Sequence, residues 1–131
     1  MPFSVSFPTR HTDTFASTGF VHGGVLLALT ELAYAAFEEH AGIRKPAEIV
    51  AVQRRTSADY HAPLHWTEGA TITVETAAIS DRAFMQRFEV SSSASGNAIA
   101  TIEHNWAWLD TGTGAAVVLP EDVREKLLAG R

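Results

Sequence analysis

Apolar and polar positions fall into distinct periods along the chain, and the periods give the element order. Phe3, Val5 and Phe7 alternate with Ser4 and Ser6, the period-two signature of a half-buried strand, which Pro8 closes. Residues 9 to 22 read as a polar loop rich in Thr, Ser and Asp. From Val25 to Glu39 no turn signal occurs, which predicts a helix entered through Gly23-Gly24 and ended at Ala41-Gly42 and Pro46, with Gly42 as the C-terminal cap. Strand patterns follow. Ile49-Val50-Ala51-Val52 leads into a segment reaching Tyr60 before a break at Pro63. Ile72 and Val74 alternate with Thr71, Thr73 and Glu75 up to the Ser80-Asp81-Arg82 turn. Residues 83 to 92 make the next strand, Ser95-Gly96-Asn97 a hairpin tip, and Ala98 to about Leu109 a last strand with Ile102, His104, Trp106 and Trp108 on one face. Pro120 suits a first helical position and Glu121 and Asp122 a first turn, so a short helix ends the pattern.

The long helix has almost no polar face: Val25, Leu26, Leu27, Ala28, Leu29, Leu32, Ala33, Tyr34, Ala35, Ala36 and Phe37 cover it. Such a helix is expected to be surrounded. One antiparallel sheet curling around it, with the other sheet face in solvent or against a partner, gives an α+β architecture. The 131 residues contain no repeat, low-complexity tract or long linker, so residues 1–131 read as a single domain.

Composition narrows the function classes. With no cysteine, disulfides, thiolate nucleophiles and Cys-ligated metals are impossible, and a reducing compartment is compatible. Ten Lys and Arg against fifteen Asp and Glu give a net charge of -5 without a basic run, which argues against nucleic acid as a partner. No apolar run approaches the roughly 18 residues of a membrane span. Met1-Pro2-Phe3-Ser4-Val5 lacks the cationic start of a signal peptide, so a cytoplasmic location is expected.

Glu31 is the anomaly, the only charged residue between His22 and Glu38. Leu27, Ala28, Tyr34 and Ala35 lie three or four residues away on its side of the helix. A carboxylate there is either desolvated, which makes it a reactive base or nucleophile, or it meets a polar partner in a structural role. Gly23-Gly24 opens the same helix. The first amides of a helix are unpaired, and glycine lets a substrate approach them, so they form a natural oxyanion site; two glycines also simply relieve crowding. His22 either touches substrate or holds the loop against the helix start.

His22-Gly23-Gly24, followed nine residues after the histidine by Glu31 and then Leu32-Ala33, with Gly19 before it, resembles the hotdog-fold acyl-CoA thioesterases. The pattern is most similar to the branch of the 4-hydroxybenzoyl-CoA and phenylacetate-pathway thioesterases. Asp59-Tyr60-His61-Ala62-Pro63-Leu64 resembles the strand and bend that follow the helix in this superfamily, and Leu119-Pro120-Glu121 a tail common in its Asp-dependent branch. The resemblance implies one long central helix wrapped by a curved antiparallel β-sheet. It makes Glu31 the catalytic carboxylate and the Gly23 amide the group that polarises the thioester carbonyl. Acyl-CoA is the implied substrate, with no metal and no cofactor. In the resembling enzymes the glycine amide and the acid come from opposite subunits. Gly23 and Glu31 are eight residues apart, about 12 Å along one helix axis, which agrees with that requirement. A homodimer with shared active sites, able to pair into a tetramer, is expected.

Some positions depart from the pattern. The Asp-dependent branch has its aspartate three residues before the glycine matched by Gly19, where this chain has Ala16; Asp13 fits only if the loop absorbs three extra residues. The family's hydroxyl residue one turn after the acid is replaced by Ala35, which leaves Ser17 and Thr18 as the nearest groups to orient water, or as plain turn residues. Gly24, Ser17, Thr18, Asp13 and Tyr34 are the candidate substrate contacts. Phe20 and Trp106 either line the acyl pocket or belong to the core, and Arg54, Arg55, Arg82 and Arg87 are candidate phosphate contacts. His61 and His65 flank Pro63, which prevents the helix that would make them a metal pair. His104 reads as a core or interface histidine. Two other functions fit the pattern: a hotdog hydratase or dehydratase, against which position 17 is Ser rather than the expected His, and a non-catalytic module that binds acyl thioesters.

Overall fold

A computed structural model describes residues 2–15 and 17–129. Ala16, where the Asp-dependent branch has its aspartate, lies outside them. The element order is β1 (Phe3–Phe7), a 3-10 turn (His11–Asp13), α1 (Gly23–Ala41), β2 (Ile49–Tyr60), β3 (Ala70–Ile79), β4 (Ala83–Ser92), β5 (Ala98–Asp110) and α2 (Glu121–Ala129). The five strands form one antiparallel sheet in the order β1-β3-β4-β5-β2, the hotdog architecture of a long helix on a curved sheet. Strict alternation builds its inner face. Ile72, Val74 and Thr76 of β3, Phe84, Gln86, Phe88 and Val90 of β4, and Ile102, His104, Trp106 and Trp108 of β5 are all buried.

α1 docks on that face through Leu26, Thr30, Ala33, Tyr34 and Phe37, a stripe at helical spacing. Tyr34 stacks on Trp106 with ring centroids 4.3 Å apart, and Phe37 meets Phe3 of β1 edge to face. The helix starts two residues earlier and runs two residues further than its apolar pattern suggests. Gly42 ends it at φ 72°, where a side chain is disfavoured, and Ile43 N–H reaches back to the Glu38 carbonyl at 2.9 Å. Pro120 stands immediately before α2, and its carbonyl accepts the Arg124 N–H. Val123 and Leu127 are the buried anchors of that helix.

The expectation of a surrounded helix needs correction. The sheet covers one flank of α1, and Gly24, Ala28, Leu32 and Ala35 on the other flank are exposed, Leu32 by 56%. A single sheet of five strands does not close around a helix, so an all-round apolar helix keeps one uncovered side. Among the described residues, no helix is long and apolar enough to cross a membrane.

Candidate active site

The start of α1 is tied down by backbone bonds. His22, the N-cap, has extended backbone and no side-chain capping bond. Its amide donates to the Asp13 carbonyl at 3.0 Å, and its carbonyl accepts from Val25 and Leu26. The ring lies against Phe15, with centroids 3.7 Å apart. His22 therefore holds the loop to the helix. Val21 N–H, bonded to the Leu64 carbonyl at 2.8 Å, fixes the other side of the entry.

These bonds leave the next two amides free. Among the described residues neither Gly23 nor Gly24 N–H has an acceptor, as the first turn of a helix dictates. Gly23 lines a cavity of about 480 Å³ together with Val21, Leu26, Tyr60, Pro63 and Leu64. A Cβ at position 23 would stand 2.9 Å from the Tyr60 hydroxyl oxygen, so a side chain there would push the exposed Tyr60 ring aside. A Cβ at Gly24 would meet nothing within 4 Å.

Glu31 is exposed rather than desolvated. The helix turns its neighbour Thr30 into the core and leaves Glu31 on the flank, where its Oε1 accepts a hydrogen bond from Gln53 Nε2 at 3.1 Å. Of the two alternatives for this carboxylate, the polar partner is the one present.

The remaining candidates separate. Asp13 accepts the Arg10 N–H at 2.9 Å and a guanidinium N–H at 3.2 Å. Burial pushes its carboxyl up, but those bonds and the Arg10 charge outweigh it and hold it low. Its bonds are structural. Thr18 serves the turn, donating to the Phe15 carbonyl and accepting the Phe20 N–H. Ser17 is exposed. Tyr34 is a core residue: buried against Trp106, it donates to Glu38, which also pairs with Lys45. Burial first, then the Glu38 carboxylate, raises its hydroxyl far above the ordinary range. Neither Tyr34 nor Trp106 lines the cavity. Phe20 is exposed, with its ring edge to face against His65. Arg87 pairs with Glu75 and Glu103, and Arg82 donates to the Ala116 carbonyl, whereas Arg54 and Arg55 are exposed on β2. His61 and His65 have separate partners, Thr101 and Thr67.

His104 is fully buried at the centre of the fold. Thr30 donates its single hydroxyl proton to the Leu27 carbonyl at 2.6 Å, so at 2.7 Å it must accept from His104 Nε2–H. Nδ1 then accepts from the Thr56 hydroxyl at 2.8 Å. This neutral tautomer agrees with the effect of burial, which lowers the His104 pKa from 6.5 to about 4. A chain of hydrogen bonds thus runs from β2 through β5 to α1, one residue from Glu31.

Sequence reasoning missed Gln53 and the role of Tyr60. The signal for Gln53 was available: it continues the alternate positions Ile49 and Ala51 and is the one polar member of that series.

Comparison with known proteins adds family and fold. The thioesterase-like superfamily matches residues 11–127. No curated protein sequence is similar enough to count as a relative. Among solved structures, the chain is similar to a 1,4-dihydroxy-2-naphthoyl-CoA thioesterase from Synechocystis, at 16% identity and a TM-score of 0.84, covering 97% of this chain and 96% of that one. It is similar to a gentisyl-coenzyme A thioesterase at 18% identity and a TM-score of 0.83, covering 95% and 99%. A thioesterase from Thermus thermophilus, complexed with coenzyme A and Zn, is similar at 24% identity and a TM-score of 0.81, covering 98% and 95%. At these identities the likeness establishes the fold.

Proposed function

The chain belongs to the thioesterase-like superfamily, and from that premise we propose that it is an acyl-CoA thioesterase, hydrolysing a thioester to a carboxylic acid and free CoA. The observation that carries this reading is the unpaired Gly23 amide at the wall of a largely apolar cavity. An acyl chain enters the cavity, and the thioester oxygen accepts from the Gly23 N–H, which stabilises the oxyanion of the tetrahedral intermediate. Glu31 supplies the carboxylate, as general base or nucleophile.

One copy does not suffice, because about 12 Å of helix separates Gly23 from Glu31. Two antiparallel α1 helices related by a two-fold axis bring the amide of one subunit to the acid of the other. Two features support such a homodimer. Among the described residues β2 ends the sheet with its outer edge unpaired, and the exposed stripe of Gly24, Ala28, Leu32 and Ala35 offers an apolar contact. The dimer can pair further into a tetramer.

The test is free-thiol release from short, medium and aromatic acyl-CoAs. Glu31→Gln is expected to lose about a thousandfold in kcat while its thermal midpoint stays unchanged, and Asp13→Asn to keep its activity. Full activity in Glu31→Gln would overturn the assignment. Loss confined to Asp13→Asn would move the site to the 3-10 turn. Water addition to an enoyl-CoA would make the protein a hydratase, and thioester binding without turnover a binding module.

A further inference from the structure

β2 carries an irregularity at the height of Glu31. Gln53 lies opposite Trp106 of β5 and Arg55 opposite Asn105, so Arg54 has no partner and the pairing shifts by one residue. A bulge of this kind exchanges the two faces of a strand. Before it Ile49, Ala51 and Gln53 share a face; after it Thr56, Ala58 and Tyr60 do. The exchange lets both series face α1. Tyr60 meets Gly23, Thr56 reaches Thr30 through His104, and Gln53 meets Glu31. In an unbroken strand Gln53 and Thr56 would point to opposite sides.

Gln53 presents its donor and its acceptor differently. Its NH2 group donates to Glu31 Oε1, while among the described residues its own Oε1 and Glu31 Oε2 accept nothing. The free carbonyl oxygen of Gln53 and the free Oε2 of Glu31 thus belong to one hydrogen-bonded pair of side chains. Two neighbouring acceptors take both protons of one water molecule and leave its lone pairs pointing away.

We infer that Gln53 is a positioning residue for the hydrolysis: it fixes the Glu31 carboxylate and, with it, seats the attacking water. The inference rests on Glu31 being the reacting acid. The water oxygen adds to the thioester carbon as one of its protons passes to Glu31. The carbon–sulfur bond then breaks, and that proton moves to the departing CoA thiolate. Gln53 transfers no proton.

The experiment measures kcat, KM and the pH dependence of acyl-CoA hydrolysis for the full chain and for Gln53→Ala, Gln53→Glu and Glu31→Gln. Gln53→Ala is expected to lose about a hundredfold in kcat with KM little changed. Gln53→Glu keeps the shape but sets two carboxylates face to face, so the acidic limb of its profile should move to higher pH. Wild-type kcat in Gln53→Ala, or an unmoved profile in Gln53→Glu, overturns the inference. A loss expressed in KM alone overturns it too, because it marks a substrate contact. Should Gln53→Ala not fold, the isosteric Gln53→Glu profile decides. An active Gln53→Ala beside a dead Glu31→Gln refutes this inference alone, whereas an active Glu31→Gln refutes the functional reading beneath it.

Discussion

The two flanks of α1 are built from similar residues and behave differently. On the inner flank Leu26, Ala33, Tyr34 and Phe37 are buried, and the one polar residue, Thr30, is satisfied twice, by His104 and by the Leu27 carbonyl. On the outer flank Gly24, Ala28, Leu32 and Ala35 are exposed, and the polar residue, Glu31, has among the described residues one partner and one free oxygen. The inner flank shows how a buried polar group is made neutral and saturated. The outer flank keeps a charge and spare acceptor capacity, which the packing of α1 on the sheet does not use. Adjacent positions in the chain, Thr30 and Glu31, thus sit in opposite environments, separated by a rotation of about 100° around the helix axis.

Truncating each flank is the most direct way to break this contrast. Phe37→Ala should cost about 4 kcal/mol of unfolding free energy, because it opens a cavity at a residue that is 1% exposed. That cost should not depend on protein concentration. Leu32→Ala should cost little in a dilute chain, and in the proposed homodimer, where a second subunit covers that residue, its cost should grow with concentration. Urea titrations at two protein concentrations check both. Equal, concentration-independent losses would show that the two flanks do not differ.

Acid sharpens the contrast on the inner side. Burial holds His104 neutral down to about pH 4, against 6.5 in the open chain. Between those values the unfolded chain binds a proton that the folded one refuses. Stability is therefore complete above about 6.5 and falls as the pH drops towards 4, by on the order of 3 kcal/mol. His104→Asn should lack this acid step, although it starts from a lower stability. Denaturant midpoints measured from pH 7 to pH 4.5 give the comparison. A modest effect belongs to Asp13, in the 3-10 turn before α1: Asp13→Asn should cost about 1 kcal/mol through its bonds to Arg10.

Much of the fold was legible from periodicity. The alternation of Phe3, Val5 and Phe7, the strand over residues 83–92 and the cap at Gly42 all stand where the pattern predicts them. Each is local: a period of two or a glycine after a helix carries its own signal. Gly23 was legible for the same reason, as a helix start. The surroundings of Glu31 were not. Eleven apolar residues around one helix do not say which side meets the sheet, so burial of the acid and its exposure fitted the sequence equally. Tyr34 sits in the same ambiguity and fell to the core. Gln53 could be reached by counting from Ile49 and Ala51, whereas the bulge hid that Thr56 and Tyr60 share its face, because counting alternate positions along β2 works only to the point where Arg54 breaks the count.

Local pattern specifies which elements form, in what order, and that a helix with free N-terminal amides carries an acid, Glu31, amid apolar residues. These follow from interactions between residues a few positions apart. Long-range packing chose which flank of α1 is covered, and made β2 change faces so that Gln53 meets Glu31 and Thr56 meets His104. Helix rotation and strand register are settled by packing between segments distant in the chain, and a nearly uniform apolar helix leaves that choice to the sheet it lands on.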